Sequence, residues 1–272
     1  MEYEIKPSEK FSLGLRELWQ YRELFYFFTW RDIKVKYKQT FFGFAWAIFQ
    51  PLLMMLLFSF FFGTKLKVPS EGIPYPLFVF SGLLLWNIFS SGLSNASNSM
   101  VTNSNIIKKI YFPRLIIPLS SVLGALFDFL MALLIFIPIL LWYGTSLNLL
   151  VLIPSLLLSI LIVTITTFGA GSWLAALNVK YRDFRYVIPF TIQVLMFVTP
   201  VIYPTSIIDN DSIRFILDLN PMSGAITLFR NAVAGEAIPW TPVITGLSTS
   251  ILILFLGVYY FKKTEAYFAD IS

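Results

Sequence analysis

The chain has 272 residues, of which 57% are hydrophobic, 18% aromatic and only 13% charged, with a mean hydropathy of +0.75. Soluble domains carry about 25% charged residues, so this balance excludes a water-soluble globule, and it equally excludes disorder, which needs low hydrophobicity and high net charge. The absence of Cys and His excludes disulfides, thiolate nucleophiles, Cys/His zinc sites and imidazole bases, and the formal charge of +5 matters less than its placement.

Residues 11–28 open the chain's pattern. Leu15, Leu18, Trp19, Phe25 and Tyr26 recur at helical spacing, with Ser12, Arg16, Gln20 and Glu23 on the other face. That predicts an amphipathic helix in the headgroup plane, either a membrane anchor or a docking surface for a cytoplasmic partner. A bilayer core of roughly 30 Å needs about 20 apolar residues per helix, and six such runs follow. The first covers residues 41–63 and ends at Lys65 and Lys67. The second starts at Pro76 and fades after Gly92 into a Ser/Asn tract. The third is 116–143, with Pro118 and Pro138 inside it, and the fourth is 149–177. The fifth, 187–203, is short. The sixth, 243–261, stops at Lys262 and Lys263.

Six spans put both termini on one side, and the basic residues choose it. The segment before span one, the loops after spans two and four, and the tail hold 16 of the 20 Lys and Arg residues. Both termini are therefore expected in the cytoplasm. The first 30 residues lack a charged, then apolar, then small pattern, so no cleavable signal peptide is expected and span one acts as the targeting signal. Residues 204–240 fall on the far side. Asp209, Asp211, Arg214, Asp218, Arg230 and Glu236 make this segment too polar to span, yet its apolar residues ask for burial. Two short re-entrant helices, broken at Asn220-Pro221 and dipping into the outer interface, satisfy both. The expected fold is an all-α integral membrane domain over residues 1–272: a cytoplasmic segment at 1–40, a six-span bundle at 41–261 and a cytoplasmic tail at 262–272.

Catalytic chemistry is scarce. Phe62-Gly63-Thr64-Lys65 lacks the upstream spacing of a phosphate-binding loop. No pair of carboxylates shares a helix face, and a Ser/His/Asp set is impossible without His. Asp128 is the one ionisable residue deep in a span. It reads either as a functional carboxylate or as a protonated or hydrogen-bonded helix–helix contact, and the second is favoured because no intramembrane Lys or Arg is available to form a proton relay. Gln50, Asn87 and Gln193 read as interhelical glue, each contributing about 1 kcal/mol. The stretch from Asn105 through Ile107, Lys108, Lys109 and Tyr111 to Pro113-Arg114 predicts a short basic-aromatic helix presented to the cytoplasm, against the simpler reading of a loop that only fixes orientation.

These motifs resemble the permease subunits of ABC transporters of the type-2 exporter family, in particular those exporting O-antigen, capsule and teichoic-acid polymers. Arg31-Asp32-Ile33-Lys34-Val35-Lys36-Tyr37-Lys38-Gln39-Thr40, then Gly43, Trp46 and Pro51, looks like the family's lead into its first span; Gln50 stands where the family usually has Asn. Asn105 to Pro118 looks like its first cytoplasmic loop, and Asn178, Tyr181, Arg182 and Asp183 match its second. Thr199-Pro200-Val201-Ile202-Tyr203-Pro204 matches the end of its fifth span. Asn220-Pro221, Phe229-Arg230 and Gly235 match its external helices, and Phe261, Glu265, Phe268 and Ala269-Asp270 its tail.

The resemblance implies a channel formed by a homodimer in the bacterial inner membrane. Two separate ABC ATPase subunits would bind ATP and Mg, so this chain needs no cofactor or metal and is no enzyme. Leu15, Trp19, Asn105, Ile107, Lys108, Lys109 and Tyr111 would couple to the ATPase. Arg31, Lys34, Lys36 and Lys38 would form a basic collar toward membrane lipids and the diphosphate of a polyprenyl-linked glycan, at about 1 kcal/mol per basic residue near an anionic surface. Nucleic acid is not an expected partner. Export of O-antigen is the leading expectation; teichoic acid, capsule or a small lipophilic drug or lipid are alternative cargoes. A membrane-embedded glycan-processing enzyme would need a positioned acid–base group, and a proton-driven carrier would need a relay of ionisable residues across the spans; the expected spans offer one carboxylate deep within them, Asp128.

Overall fold

A computed structural model describes residues 15–38, 43, 45–144 and 148–265, without the side chains of Leu15 and Arg16. Lys6, Lys10, the start of the expected N-terminal helix at 11–14, residues 39–42 and the tail motif with Phe268, Ala269 and Asp270 lie outside the described residues. Among the described residues the fold is all helical: α1 (Leu15–Gln20), α2 (Arg22–Tyr37), α3 (Ala45–Phe58), a π-helical turn (Ser59–Lys65), α4 (Tyr75–Thr102), α5 (Ser104–Ile107), α6 (Ile116–Trp142), α7 (Leu149–Lys180), α8 (Phe184–Val198), a 3₁₀ turn (Thr205–Ile207), α9 (Asp211–Asp218), α10 (Pro221–Ala234) and α11 (Trp240–Thr264). Five helices are long and apolar enough to cross a membrane: Ala45–Lys65, Tyr75–Thr102, Ile116–Trp142, Leu149–Lys180 and Trp240–Thr264. The expected fifth span, α8, has 15 residues, about 22 Å of helix against a core of roughly 30 Å.

α4 is the hub. Leu77, Phe78, Val79, Phe80, Leu84, Leu85 and Ile88 are fully buried, and the helix packs on α6, α7, α3 and α10. It also runs ten residues past the expected fade at Gly92. The Ser/Asn tract stays helical because its short polar side chains bond back to the preceding turn, which satisfies them without water. Ser91 Oγ donates to the Asn87 carbonyl at 2.6 Å, Asn98 Nδ2 to Ser94 at 2.9 Å and Thr102 Oγ1 to Asn98 at 3.0 Å. α7 and α11 form a second tight seam, where a Cβ on Gly257 would lie 2.0 Å from the Gly169 carbonyl oxygen. Glycine at both positions lets the two backbones touch, as small residues do between membrane helices.

The external segment breaks where expected. α9 ends at Asp218, Asn220 caps α10 by accepting from Met222 N at 3.0 Å, and Pro221 takes the first helical position, where its missing N–H costs nothing. α10 then packs into the bundle. Eleven of its residues, from Pro221 to Val233, are buried, and Ser159 on α7 donates to the Ala225 carbonyl at 2.9 Å. Its wide apolar face makes it part of the core.

The N-terminal helix differs more. α1 and α2 join through a turn at Tyr21, and α2 continues through the basic segment to Tyr37. α2 runs along the first half of α6 in the same direction. Phe28 sits 5.6 Å from the Phe112 ring, and Tyr37 sits 6.3 Å from Phe127. Phe28, Ile33 and Tyr37 are buried on that contact, while Trp19, Tyr26, Phe27 and Trp30 stay exposed on the far side.

The basic loops share one end of the bundle. There Phe28, Met100, Ile107, Phe112, Ile116, Ala175 and Phe261 form a second apolar cluster. Arg114 donates to the Glu265 carbonyl oxygen, and Asn178 Nδ2 bridges Ser97 O and Asn98 Oδ1, each at 3.0 Å.

A hollow carrying polar residues of four helices as the candidate functional site

Asp128 lies twelve residues into α6, about 18 Å along its axis at 1.5 Å per residue. The sequence left it without a cation. In the structure Lys36 Nζ forms an ion pair with one carboxylate oxygen, and Tyr37 Oη donates to the other. The correction has a simple cause: the basic segment is helical and climbs α6, so its last turn reaches the depth of Asp128. A carboxylate held by two donors avoids the large cost of an unpaired buried charge.

Around this group the four polar residues read as separate contacts come together. Gln50 on α3, Asn87 on α4, Asp128 on α6 and Gln193 on α8 line one hollow of about 360 Å³, with Trp46, Ser90, Ser91, Ser94 and Pro189. Below it, toward the basic end, lies a larger hollow of about 850 Å³ lined by Arg31, Lys36, Asn98, Thr102, Asn105 and Asp128, among others. Lys36, Tyr37, Ser91, Ser94 and Asp128 border both. Successive turns of α4 carry Asn87, Ser91, Ser94, Asn98 and Thr102 along one face at i+3 and i+4 spacing, so a single helix supplies a continuous polar wall. That spacing was legible in the sequence and is the signal that unites these residues.

The upper hollow has an unfinished side. Its flanking helices α3 and α8 are the least covered: α3 buries only Pro51 and Met55, and α8 only Ile188. Trp46, Phe49, Phe60, Phe190 and Phe197 stand exposed along them. The hollow thus opens between two thinly packed apolar helices, and exposed apolar faces mark contact with lipid or another chain.

The expected basic collar divides. Arg31 and Lys36 border the lower hollow. Arg31 also bonds to Asp32 and lies 4.7 Å over the Phe28 ring. Lys34 lies over Trp30 on the exposed face, and Lys38 is exposed at the end of α2. The expected coupling residues divide too. Tyr111 is 82% exposed, Trp19 is 71% exposed, and Asn105 borders the lower hollow. Lys108 and Lys109 are surface residues, but Ile107 is 7% exposed and belongs to the apolar cluster with Phe28. Its side chain is packed inside this chain rather than presented at its surface. Leu15 is helical, with its side chain outside the description.

Sequence reasoning missed Arg230, placing it among the residues that keep 204–240 polar. It is 2% exposed. Its guanidinium donates to Pro200 O at 3.0 Å and Val201 O at 2.8 Å and lies 3.6 Å from the Phe78 ring centre. A Cβ on Gly82 would come within 2.7 Å of Arg230 Nη2. The arginine thus ties the turn that ends α8 to the α4–α10 core.

Comparison with known proteins agrees with this architecture. The family described as ABC-2 type transporter matches residues 23–233. The chain is 31% identical over 245 residues to the O-antigen export system permease protein RfbA of Klebsiella pneumoniae, covering 89% of this chain and 92% of that protein. It is 30% identical over 260 residues to the protein of the same description from Myxococcus xanthus, covering 94% and 98%. The polysialic acid transport protein KpsM of Escherichia coli is 23% identical over 239 residues, covering 86% and 91%. On the breadth of these matches and an all-helical fold with several membrane-length apolar helices, the chain is a multi-pass membrane protein of the ABC-2 type transporter family.

Proposed function

We propose that this chain is the channel-forming subunit of an ATP-driven exporter of lipid-linked polysaccharide, with O-antigen as the cargo class and the bacterial inner membrane as its site. Two copies face each other across α3 and α8, and two separate ABC ATPase subunits dock at the basic end, which faces the cytoplasm together with both termini. The observation that carries the reading is the trough of Gln50, Asn87, Asp128 and Gln193, open between two thinly packed spans. One copy offers half of a polar path, and a second closes it. The likeness to O-antigen permeases at about 30% identity supports the cargo class; the lower identity to the polysialic acid protein makes capsule export the second choice.

Movement in this scheme starts at the exposed Tyr111 and Trp19, where an ATPase dimer has something to push. α2 and the 104–112 segment share an apolar cluster with α6 and α11, so a push is passed on as a rigid-body shift of packed helices. Arg31 and Lys36 border the lower mouth, each paired with a carboxylate, Asp32 and Asp128, so a diphosphate headgroup binds them only by displacing those partners. The test is complementation: a strain lacking this chain should lose surface glycan, the chain should restore it, and restoration should require a cognate P-loop ATPase. Surface glycan unaffected by the deletion contradicts the function.

A further inference from the structure

We propose that Asp128 is a sugar-binding group of the channel, covered at rest by α2 and exposed to the passing glycan when α2 moves. The inference rests on the export function above and names where the cargo is held.

The position comes first. Asp128 borders both hollows, so any chain passing from the lower to the upper one crosses it. The chemistry around it suits neutral polyols. A carboxylate accepts only, whereas each amide offers two N–H donors and an accepting oxygen, so together they satisfy hydroxyls that both donate and accept. Gln50, Asn87 and Gln193 supply three amides in the same hollow, and Trp46 supplies an aromatic surface beside them. The hollow's volume of about 360 Å³ is in the range of small-ligand sites, which run from about 300 to 1,000 Å³. A diphosphate is disfavoured at this point, because the carboxylate repels it.

The cover comes second. Both groups that occupy the Asp128 oxygens, Lys36 Nζ and Tyr37 Oη, belong to adjacent residues at the end of one helix. Displacing α2 removes both together and leaves the carboxylate facing the trough. The Lys36 side chain is already 45% exposed against 15% for Asp128, so the cover opens onto space. A purely structural ion pair does not require its acid to stand at the junction of two hollows beside three amides.

The experiment is export by the full transporter in a strain lacking the native chain, scored as surface glycan, with Asp128→Lys alone and Asp128→Lys combined with Lys36→Asp. The proposal expects both to fall at least tenfold, because swapping the charges restores an ion pair but removes the acceptor from α6. Recovery of export by the swapped pair overturns it and makes Asp128 an anchor for α2. Should the swapped chain fail to accumulate, Ser90→Cys in the same hollow, beside the intact Asp128, decides against Ser90→Cys with Asp128→Asn. Lipid-linked glycan extracted from the host membranes should slow labelling by a hydrophilic maleimide at least threefold in the assembled complex when Asp128 is present and not when it is Asn; equal labelling in the two overturns the proposal. If deleting the chain leaves surface glycan intact, the export function fails; if the parental chain restores glycan and the swap does too, only the sugar-binding role fails.

Discussion

The guanidinium of Arg230 lies 3.6 Å from the centre of the Phe78 ring, on a side chain that is 2% exposed. The ring's negative face and the two carbonyls of residues 200 and 201 replace the water an arginine normally keeps. The contact joins α10 to α4 and, together with Tyr75 Oη donating to Ile202 O at 2.6 Å and Asn220 Nδ2 to Thr199 Oγ1 at 2.9 Å, fixes the turn after α8.

Arg230→Met should therefore lower stability by about 2–4 kcal/mol, since it removes charge-assisted hydrogen bonds and leaves two buried carbonyls unpaired. Thermal unfolding in detergent measures it. A melting temperature within a degree of the parental protein contradicts the assignment.

Gly257→Ala should prevent normal packing of α11 on α7, because the new methyl meets backbone rather than a flexible side chain, with the Gly169 carbonyl oxygen 2.0 Å away. Gly124→Ala on α6, where a Cβ meets nothing within 4 Å, is the control and should fold normally. The yield of monodisperse protein on size exclusion distinguishes them; equal yields contradict the close seam.

Tyr111→Ala and Ile107→Asp should fail differently. Tyr111 is exposed, so its truncation leaves the fold intact and should lower export severalfold at unchanged protein level. Ile107→Asp buries a carboxylate in the Phe28 cluster, an expense of several kcal/mol, on the order of 3–5, and should lower the amount of protein itself. Equal protein levels with equal export losses would return Ile107 to the coupling surface.

Much of the architecture is legible in the sequence because hydrophobic run length is a strong signal in a membrane. α6 begins at the expected Ile116 and α7 at the expected Leu149. The break at Asn220-Pro221 follows from capping chemistry alone. What stays hidden depends on partners distant along the chain. Asp128 finds its cation 92 residues away in Lys36, and the Ser/Asn tract that looks like a fading span is helical because it lines a trough and bonds to itself. Arg230 is the sharpest case: charge composition puts it at the surface, whereas two carbonyls and an aromatic ring keep it in the core. The site residues were individually visible as polar outliers in apolar runs; their convergence needed the bundle.

If α3 and α8 meet a second copy, single cysteines placed on them should cross-link. Phe190→Cys on α8 should give a dimer with a short bis-maleimide in membranes, whereas Leu252→Cys on the exposed side of α11, which packs on α7 and α10, should not. Cross-linking at Leu252 with none at Phe190 contradicts the proposed interface.

The most direct test of the central claim is transport by purified components in proteoliposomes holding lipid-linked glycan. This chain with its cognate ATPase should move glycan across the bilayer only when ATP is supplied, and this chain alone should neither hydrolyse ATP nor move glycan. Glycan movement, or ATP hydrolysis, by the chain on its own contradicts the account.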